Sequence, residues 1–226
     1  MKNSNSYIIA ATGSWNSKLF KKNNFAKNFI FVSNSSDLKK KAIKIKPKII
    51  FFIHWNNYVP KNIYSKFICI GFHMTDLPYG RGGSPLQNLI LRKHKITKLT
   101  AFKINHKIDS GPIYLKYSLS LSGNAAQIYK RLTLLSYRMI KKIINDNIFP
   151  KEQKGKITNF KRRKPEQSLI KNKISIDEIY DFIRMLDAPG YPKAYFNLKN
   201  VKLEFSNIQK SQEGLKAKVE IKKNET

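Results

Sequence analysis

Four short, unbroken apolar runs in the first 72 residues constrain the fold of this chain more than any other feature. They are "YIIAA" (7–11), "NFIFVS" (28–33), "KIIFFI" (48–53) and "FICIGF" (67–72). Continuous apolar runs of this length are typical of strands buried on both faces, as in parallel sheets covered by helices. The stretches between them have helical character, with Ser35 or Ser36 as a predicted cap and Pro60 as a predicted helix opening. The sequence therefore predicts an α/β fold, with a mostly parallel sheet flanked by helices.

The second half of the chain continues this pattern and then loosens. Strands are predicted at 98–104 and within 107–121, and a helix is predicted at 124–146. The helix carries an apolar stripe at spacings of four and three residues, which we expect to lie in the core. Its members are Ile128, Leu132, Leu135, Met139 and Ile143. A helix at 175–186 and strands at 201–206 and 216–221 predict a small C-terminal α+β appendage. We therefore predict one large domain over 1–150 and a small subdomain over 151–226.

The chain is strongly basic, with 44 Lys and Arg against 14 Asp and Glu and a net charge of +30. This charge indicates either a nucleic-acid partner or a solvated, lysine-rich surface, and in both cases it favours anionic substrates. No apolar run is long enough to span a membrane. The single cysteine, Cys69, has no partner for an internal disulfide, so we expect a cytoplasmic protein. No His/Cys cluster has metal-ligand spacing, so no metal is predicted.

The stretch "FHMTDLPYGRGGSPLQNLI" (72–90) combines ionisable side chains with the glycines and prolines of a loop, as catalytic and binding sites do. His73 follows the fourth predicted strand, where open sheets bind ligands, and an imidazole there can carry a proton near neutral pH. A glycine-containing loop then leads to Ser84 and Pro85, which predict a capped helix start that favours an anion. Arg81 adds a forked cation. The alternative is a tight structural loop with a surface histidine.

A second motif, "KIDSGPIY" (107–114), supplies a carboxylate that can orient a histidine. Asp109 opens a glycine-containing turn after strand 98–104, so we expect it to face the carboxyl edge of the sheet beside His73. The alternative is an Asp-Ser-Gly-Pro turn with no chemical role.

These two motifs together resemble the folate-dependent formyltransferases, which include glycinamide ribonucleotide transformylase, methionyl-tRNA formyltransferase and the sugar N-formyltransferases. The resemblance rests on His73, the Leu77-Pro78 loop with its glycines, and the later Asp109 turn. It covers about 7–147 and continues into 159–170 and 180–196. It implies a Rossmann-like formyltransferase fold, with 1–150 as the catalytic domain. The wording of 72–90 is most similar to enzymes that act on sugars of the pseudaminic acid type.

The resemblance also implies roles for individual residues. His73 and Asp109 become the catalytic pair, and 10-formyltetrahydrofolate becomes the formyl donor. The implied cofactor-binding residues are His54, Trp55, Asn56, Tyr58, Val59, Ile104, Asn105, His106 and Ile108. Trp55 and Tyr58 are equally consistent with core aromatics. The implied acceptor-binding residues are Asp76, Arg81, Gly82, Gly83, Ser84 and Gln87.

One position departs from the family pattern. The family has an Asn two residues before the histidine, whereas this chain has Gly71. We expect a rearranged active site, in which another side-chain amide takes the place of the missing one. The candidates are Asn56, Gln87, Asn88 and Asn105.

The predicted function is therefore formyl transfer to the primary amine of an anionic amino sugar, either pseudaminic-acid-like or nucleotide-linked, for surface polysaccharide biosynthesis. The alternatives are a methionyl-tRNA formyltransferase with tRNA as partner, or a basic binding module that has lost its chemistry. The basic stretch 160–168 either clasps acceptor phosphates, braces the site from the appended subdomain or forms a solvated turn. The stretch 185–196 is expected to be a turn packed on the core. The oligomeric state stays open.

Overall fold

The computed structural model describes residues 6–23 and 25–223. The helices in these residues are α1 (Ser14–Lys22), α2 (Ser35–Ile45), α3 (Lys61–Tyr64), α4 (Pro85–Leu91), α5 (Ala125–Asn145) and α6 (Ile176–Arg184). The strands are β1 (Tyr7–Ala11), β2 (Phe29–Val32), β3 (Ile49–Ile53), β4 (Ile68–His73), β5 (Arg81–Gly82), β6 (Ile96–Lys103), β7 (Ile113–Ser120), β8 (Asn159–Phe160), β9 (Ala194–Leu198), β10 (Val201–Ser211) and β11 (Gly214–Lys223). None of these helices is both long and apolar enough to cross a membrane.

The central sheet has the strand order β2-β1-β3-β4-β6-β7. Strands β1 to β4 pair in parallel, and β1 and β3 are completely buried, so the predicted parallel α/β sheet is confirmed. Strand β6 pairs with β4 antiparallel, with Gly71 opposite Phe102 and His73 opposite Thr100. The turn after β6 therefore does not leave from the carboxyl edge of the parallel strands, because β6 runs the other way. The expected position of Asp109 beside His73 is nevertheless confirmed, since Asp109 Oδ2 lies 3.6 Å from His73 Nδ1.

The chain divides into two units, each built from three separate stretches. Unit 1 comprises the residues up to Gly82, Lys98–Leu119 and Lys130–Asn159. Unit 2 comprises Gly83–Thr97, Ser120–Tyr129 and the residues from Phe160 onward. Helix α5 runs from one unit into the other. Our assignment of domains to 1–150 and 151–226 stays a prediction.

One face of the sheet in unit 1 carries a continuous apolar cluster. Its strand residues alternate along β1 to β4, and α2 and α3 cover them. The buried members are Ile8, Ala10, Val32, Leu38, Ala42, Ile50, Phe52, Val59, Ile63 and Cys69. The register places Gly71 and His73 on this same face, because paired residues of neighbouring strands project to the same side. His73 is therefore presented at the end of a rigid, fully packed layer.

The predicted stripe on α5 is confirmed. Ile128, Leu132, Met139 and Ile143 are each at most 3% exposed, and Leu135 is half-buried. The cap predicted for α2 is wrong, because Asn34 rather than Ser35 or Ser36 accepts the backbone N–H of Asp37.

Unit 2 contains a three-stranded antiparallel sheet, β11-β10-β9, which with α6 confirms the predicted C-terminal appendage. Helix α6 begins with a capping box between Ser175 and Glu178. Arg184 at its end is 4% exposed and donates to Asp181 and to the carbonyls of Leu121 and Gly123. Strand β9 was missed within the stretch expected to be a turn, because Gly190 and Pro192 directly precede its residues.

Candidate active site

His73 ends β4 and is 8% exposed. Its Nε2 lies 2.8 Å from the carbonyl oxygen of Gly80, in the glycine-containing loop. Because a carbonyl oxygen only accepts, the imidazole must donate, and Nε2 carries the hydrogen. The loop therefore fixes both the orientation of the ring and which edge it turns toward the second motif.

Asp109 lies on the other side of the ring. Its Oδ2 is 3.6 Å from His73 Nδ1 and accepts the backbone N–H of Gly82 at 2.8 Å. With Nε2 already donating, the contact at Nδ1 is attractive when Nδ1 also carries a hydrogen. The ring is therefore held between a carbonyl oxygen and a carboxylate oxygen.

The turn that carries Asp109 is tightly built. Asp109 has a φ of 50°, the left-handed region that few residues other than Gly, Asn and Asp occupy. A Cβ atom at Gly111 would lie 1.7 Å from the carbonyl oxygen of Lys103, so only glycine fits there. Asn105 Oδ1 accepts hydrogen bonds from the Lys107 N–H and the Ser110 hydroxyl, both at 3.0 Å. These contacts bring Asp109 back to His73 although β6 runs antiparallel to β4.

Gln153 is a residue of this site that the sequence analysis missed. Its Nε2 donates to the carbonyls of Asp109 and Gly111 at 2.9 and 2.8 Å. Its Oε1 accepts from Arg81, at 2.7 Å from Nη2 and 3.2 Å from Nε. Nothing in "FPKEQKGK" separates Gln153 from its polar neighbours, so a single sequence offers no signal for this role.

Asp76 forms an ion pair with Lys116, a cation that the sequence did not indicate. Lys116 Nζ, on β7, lies 2.5 Å from Asp76 Oδ1 and donates to the carbonyl of Leu77 at the same distance. Lys116 thus bridges the side chain of one loop residue and the backbone of the next. The role of Asp76 in acceptor binding stays a prediction.

The residues predicted to bind the cofactor separate into a buried and an exposed set. Val59 is 7% exposed in the apolar cluster, and Trp55 and Ile104 are half-buried against it. Tyr58 and Ile108 are 66% and 69% exposed, and Asn56 and His106 are also exposed.

Trp55 combines a packed ring with an unused donor. Its ring meets Phe52 edge-on at 5.7 Å between centroids. The indole Nε1 is buried and has no hydrogen-bond partner among the residues that the structure describes.

His54 is held by its backbone. It has a φ of 49°, and its carbonyl accepts the hydroxyl of Thr12 from the loop after β1. Its ring meets Trp15 edge-on at 5.9 Å. This places the loops after β1 and β3 side by side at the carboxyl edge of the sheet, where an open α/β sheet binds ligands.

The space that the family's Asn side chain would take at position 71 is filled. A Cβ atom at Gly71 would lie 2.8 Å from the ring of Phe102 and 3.4 Å from Ile104. The ring of Phe102 therefore occupies the space that a side chain at position 71 would take, and only glycine fits there without a shift of that ring. Of the predicted replacements in unit 1, Asn105 lies in the Asp109 turn itself.

Gly83, Ser84 and Gln87 belong to unit 2. The side-chain cap predicted for Ser84 is wrong, because Ser84 has a φ of 47° and its hydroxyl accepts the backbone N–H of Arg163 instead. Gln87 is 3% exposed, and its Nε2 donates to Met185 O at 3.0 Å and to the Tyr129 hydroxyl at 3.4 Å. A direct contact between Gln87 and an acceptor would require this network to open.

The basic stretch 160–168 packs on the start of α4. The Gly83 N–H donates to Phe160 O, and the Asn88 amide donates to Lys161 O. A Cβ atom at Gly83 would lie 2.5 Å from Cβ of Arg162. The backbone of 160–163 therefore packs on α4 within unit 2, while Lys161, Arg162 and Lys164 are exposed.

Unit 2 also has a cavity of about 660 Å³ between the ends of β6 and α6. Its cations are largely paired, since Lys93 lies 3.5 Å from Asp181 and Lys210 lies 2.8 Å from Asp177. Across residues 6–23 and 25–223, no three His, Cys, Asp or Glu side chains lie together as a metal site.

Comparison with known proteins shows close similarity to one group. A solved structure described as methionyl-tRNA formyltransferase from Clostridium thermocellum is 43% identical, covers 97% of this chain and all of its own, and has a TM-score of 0.93. The methionyl-tRNA formyltransferase of Thermodesulfovibrio yellowstonii is 28% identical over 173 residues, 73% of this chain and 56% of the relative. The family described as methionyl-tRNA formyltransferase, C-terminal domain, matches residues 165–222.

The fold is shared more widely. HypX from Aquifex aeolicus in complex with tetrahydrofolic acid is 14% identical, with a TM-score of 0.72 over 91% of this chain and 38% of HypX. This chain spans between half and three-fifths of the length of the curated methionyl-tRNA formyltransferases it matches.

The expected similarity to sugar N-formyltransferases is wrong in its detail. A sugar N-formyltransferase from a Shewanella species is only 16% identical, against 43% for the Clostridium protein. The predicted amino-sugar acceptor, with its pseudaminic acid and surface polysaccharide context, is therefore overturned. The methionyl-tRNA alternative agrees with the similar proteins instead.

Proposed function

Because the chain belongs to the formyltransferase family that includes the methionyl-tRNA formyltransferases, we propose that it formylates the amino group of methionyl-tRNA. The formyl donor of this family is 10-formyltetrahydrofolate. The observation that carries the proposal is the contact between His73 and Asp109 at the end of β4, 3.6 Å apart, in a chain that matches a relative along its length. The cytoplasm, where aminoacylated tRNA is used, is the compartment we propose.

The residues at the carboxyl edge of β3 fit a folate. Trp55 offers a packed aromatic surface and a buried N–H without a partner among the described residues. A buried, unsatisfied donor costs free energy, which an acceptor atom of a pterin ring would recover if the loop opened to let it reach the indole N–H. Val59 and Ile104 would line the apolar side of the same pocket, and the exposed Tyr58 and Ile108 would border it.

When bound, 10-formyltetrahydrofolate supplies a formyl carbon for attack by the amine. His73 would stabilise the negative charge that develops on the formyl oxygen, because its ring is held between Gly80 O and Asp109. Asp109 would keep that ring oriented, and would help to move the proton that the amine releases to the departing nitrogen. Low exposure of the pair, 10% and 16% for the side chains, strengthens these interactions.

The acceptor is a polyanion, and the charge of the chain favours it. Arg81 is held in place by Gln153 and offers further N–H donors to an anion. The hairpin of β10 and β11 adds a set of cations on unit 2. Lys216 and Lys223 have no acidic partner among the ion pairs of the described residues. Four further lysines would have to exchange an acidic partner for a phosphate, namely Lys202, Lys210, Lys218 and Lys222. Binding through phosphates would make the affinity strongly dependent on salt.

A direct assay tests the proposal. The protein is incubated with 10-formyltetrahydrofolate and methionyl-tRNA, and formylmethionine is quantified after deacylation. We expect formylation by the wild type and a loss on the order of a hundredfold or more in His73→Ala. The matched control is His94→Ala, in unit 2, which should retain full activity. Absence of a product that depends on His73 would refute the proposed enzyme and favour a basic binding module instead.

Binding is measured separately by fluorescence titration with tRNA at rising salt. We expect log K to fall linearly with log salt, with a slope of about −0.7 to −0.9 per phosphate contacted. A binding constant that does not change with salt would contradict binding of the tRNA through its phosphates.

A further inference from the structure

We propose that Gln153 is a positioning residue that holds Asp109 against His73, an inference that rests on the proposed function. Gln153 lies in a segment that is fixed on both sides. Lys151 exchanges two backbone hydrogen bonds with Ile113, at 2.7 and 2.8 Å, and Thr158 O accepts the N–H of Arg81 at 2.9 Å. Between these anchors, Gln153 is the one half-buried residue in the exposed run 151–157.

All the hydrogen-bonding groups of the Gln153 amide are engaged with the site. Its two N–H donors go to the carbonyls of Asp109 and Gly111, on either side of Ser110, and its oxygen takes the guanidinium of Arg81. No other natural side chain of this length combines two amide N–H donors with a carbonyl acceptor. The amide therefore matches the turn and the arginine at the same time.

This link matters because Asp109 adopts a left-handed backbone that the surroundings must maintain. The same carboxylate has two further partners, the ring of His73 and the N–H of Gly82. If Gln153 is removed, we expect the turn to relax and the carboxylate to move away from both. The Gly82 N–H thus reports the position of Asp109 without any need for activity.

The first experiment compares Gln153→Ala and Gln153→Glu with the exposed neighbour variant Lys154→Ala. Gln153→Glu keeps the size and the acceptor for Arg81 but replaces the donating nitrogen with one carboxylate oxygen that faces two carbonyls. We expect kcat to fall on the order of tenfold to a hundredfold in both Gln153 variants, with KM for the folate donor within about threefold of the wild type. Lys154→Ala should change neither.

The second experiment measures amide hydrogen exchange by NMR. We expect the Gly82 N–H to exchange on the order of tenfold faster in both Gln153 variants, since its acceptor is displaced. The N–H of Gly83, which donates to Phe160 O, is the internal control and should not change. If Gln153→Ala does not fold, the near-isosteric Gln153→Glu still provides both measurements.

The outcomes separate the two ideas. Wild-type exchange at Gly82 together with wild-type kcat in the Gln153 variants would overturn the positioning role. A general fall in stability that accelerates Gly82 and Gly83 equally would also overturn it. A wild-type protein that transfers no formyl group refutes the proposed function instead, and the exchange of Gly82 still decides whether Gln153 holds Asp109.

Discussion

Replacing Asp109 with Asn removes one charge from the candidate site and leaves its shape intact. The amide oxygen of the introduced asparagine can still accept the Gly82 N–H, and Asn tolerates the left-handed backbone at this position. What is lost is the attraction between the carboxylate and the positive charge that the His73 ring would carry in the proposed reaction. Asp109→Asn therefore isolates the electrostatic contribution of this residue.

The size of the effect follows from the distance. At 3.6 Å between Nδ1 and Oδ2, unit charges attract by about 4–5 kcal/mol with an effective dielectric constant of about 20. The side chains keep 10% and 16% of their surface in contact with solvent, so water recovers part of this energy in the variant. A remaining loss of about 3–4 kcal/mol corresponds to a fall in kcat of roughly a hundredfold to a thousandfold.

The measurement is a single-turnover formylation with saturating donor and methionyl-tRNA, which reports the chemical step. Asp37→Asn is the matched control, because Asp37 lies on α2 with its side chain 36% exposed and pairs only with Lys41 among the ion pairs of the described residues. We expect the control to behave as the wild type. A folded Asp109→Asn protein with kcat within about threefold of the wild type would refute the electrostatic role of Asp109.

Three further predictions concern stability and reactivity. Gly83→Ala should lower the free energy of unfolding by about 1–3 kcal/mol, because its Cβ would lie 2.5 Å from Cβ of Arg162. Burial raises the pKa of Cys69 to about 12, so iodoacetamide at pH 8 should label it only after denaturation. The buried neutral thiol favours the folded state, and its contribution to the free energy of unfolding should be lost as pH rises from about 9 toward 12. Hydrogen bonds from two lysines lower the pKa of Glu204, so Glu204→Gln should reduce Tm at pH 7, and its difference from the wild type should shrink as pH falls below about 4. The first prediction is contradicted if Gly83→Ala unfolds at the wild-type temperature, and the second if iodoacetamide labels the native thiol. The third is contradicted if the Tm difference between Glu204→Gln and the wild type does not change with pH.

The elements that could be predicted from sequence are those whose burial is evident from the local pattern alone. The run "IIFFI" is completely buried as β3, and the stripe on α5 lies in the core. In both cases the residues that the local pattern marks as apolar are the ones that the tertiary structure buries. The direction of β6 could not be predicted, because "KLTAFKI" is equally apolar whichever way the strand runs.

The site could be predicted where a residue type is rare and conspicuous, as with His73 and Asp109. Gln153 was missed because its role depends on partners 44 and 72 residues away, Asp109 and Arg81, and not on its neighbours. The acceptor was misjudged for a related reason. The amino-acid sequence of the loop within 72–90 reflects how its backbone turns. The acceptor is selected by surfaces that are spread over the whole chain.

The discontinuous construction of unit 2 has a consequence for synthesis on the ribosome. Gln87 and Leu121 leave the exit tunnel well before Met185 and Arg184, the residues that complete their hydrogen bonds. During that interval the Gln87 amide and the Leu121 carbonyl lack these hydrogen-bond partners, and the apolar side of α4 is not yet covered by α6. A slow stretch of codons beyond residue 160 would prolong this exposure, and the cell's chaperones would be needed most at that moment.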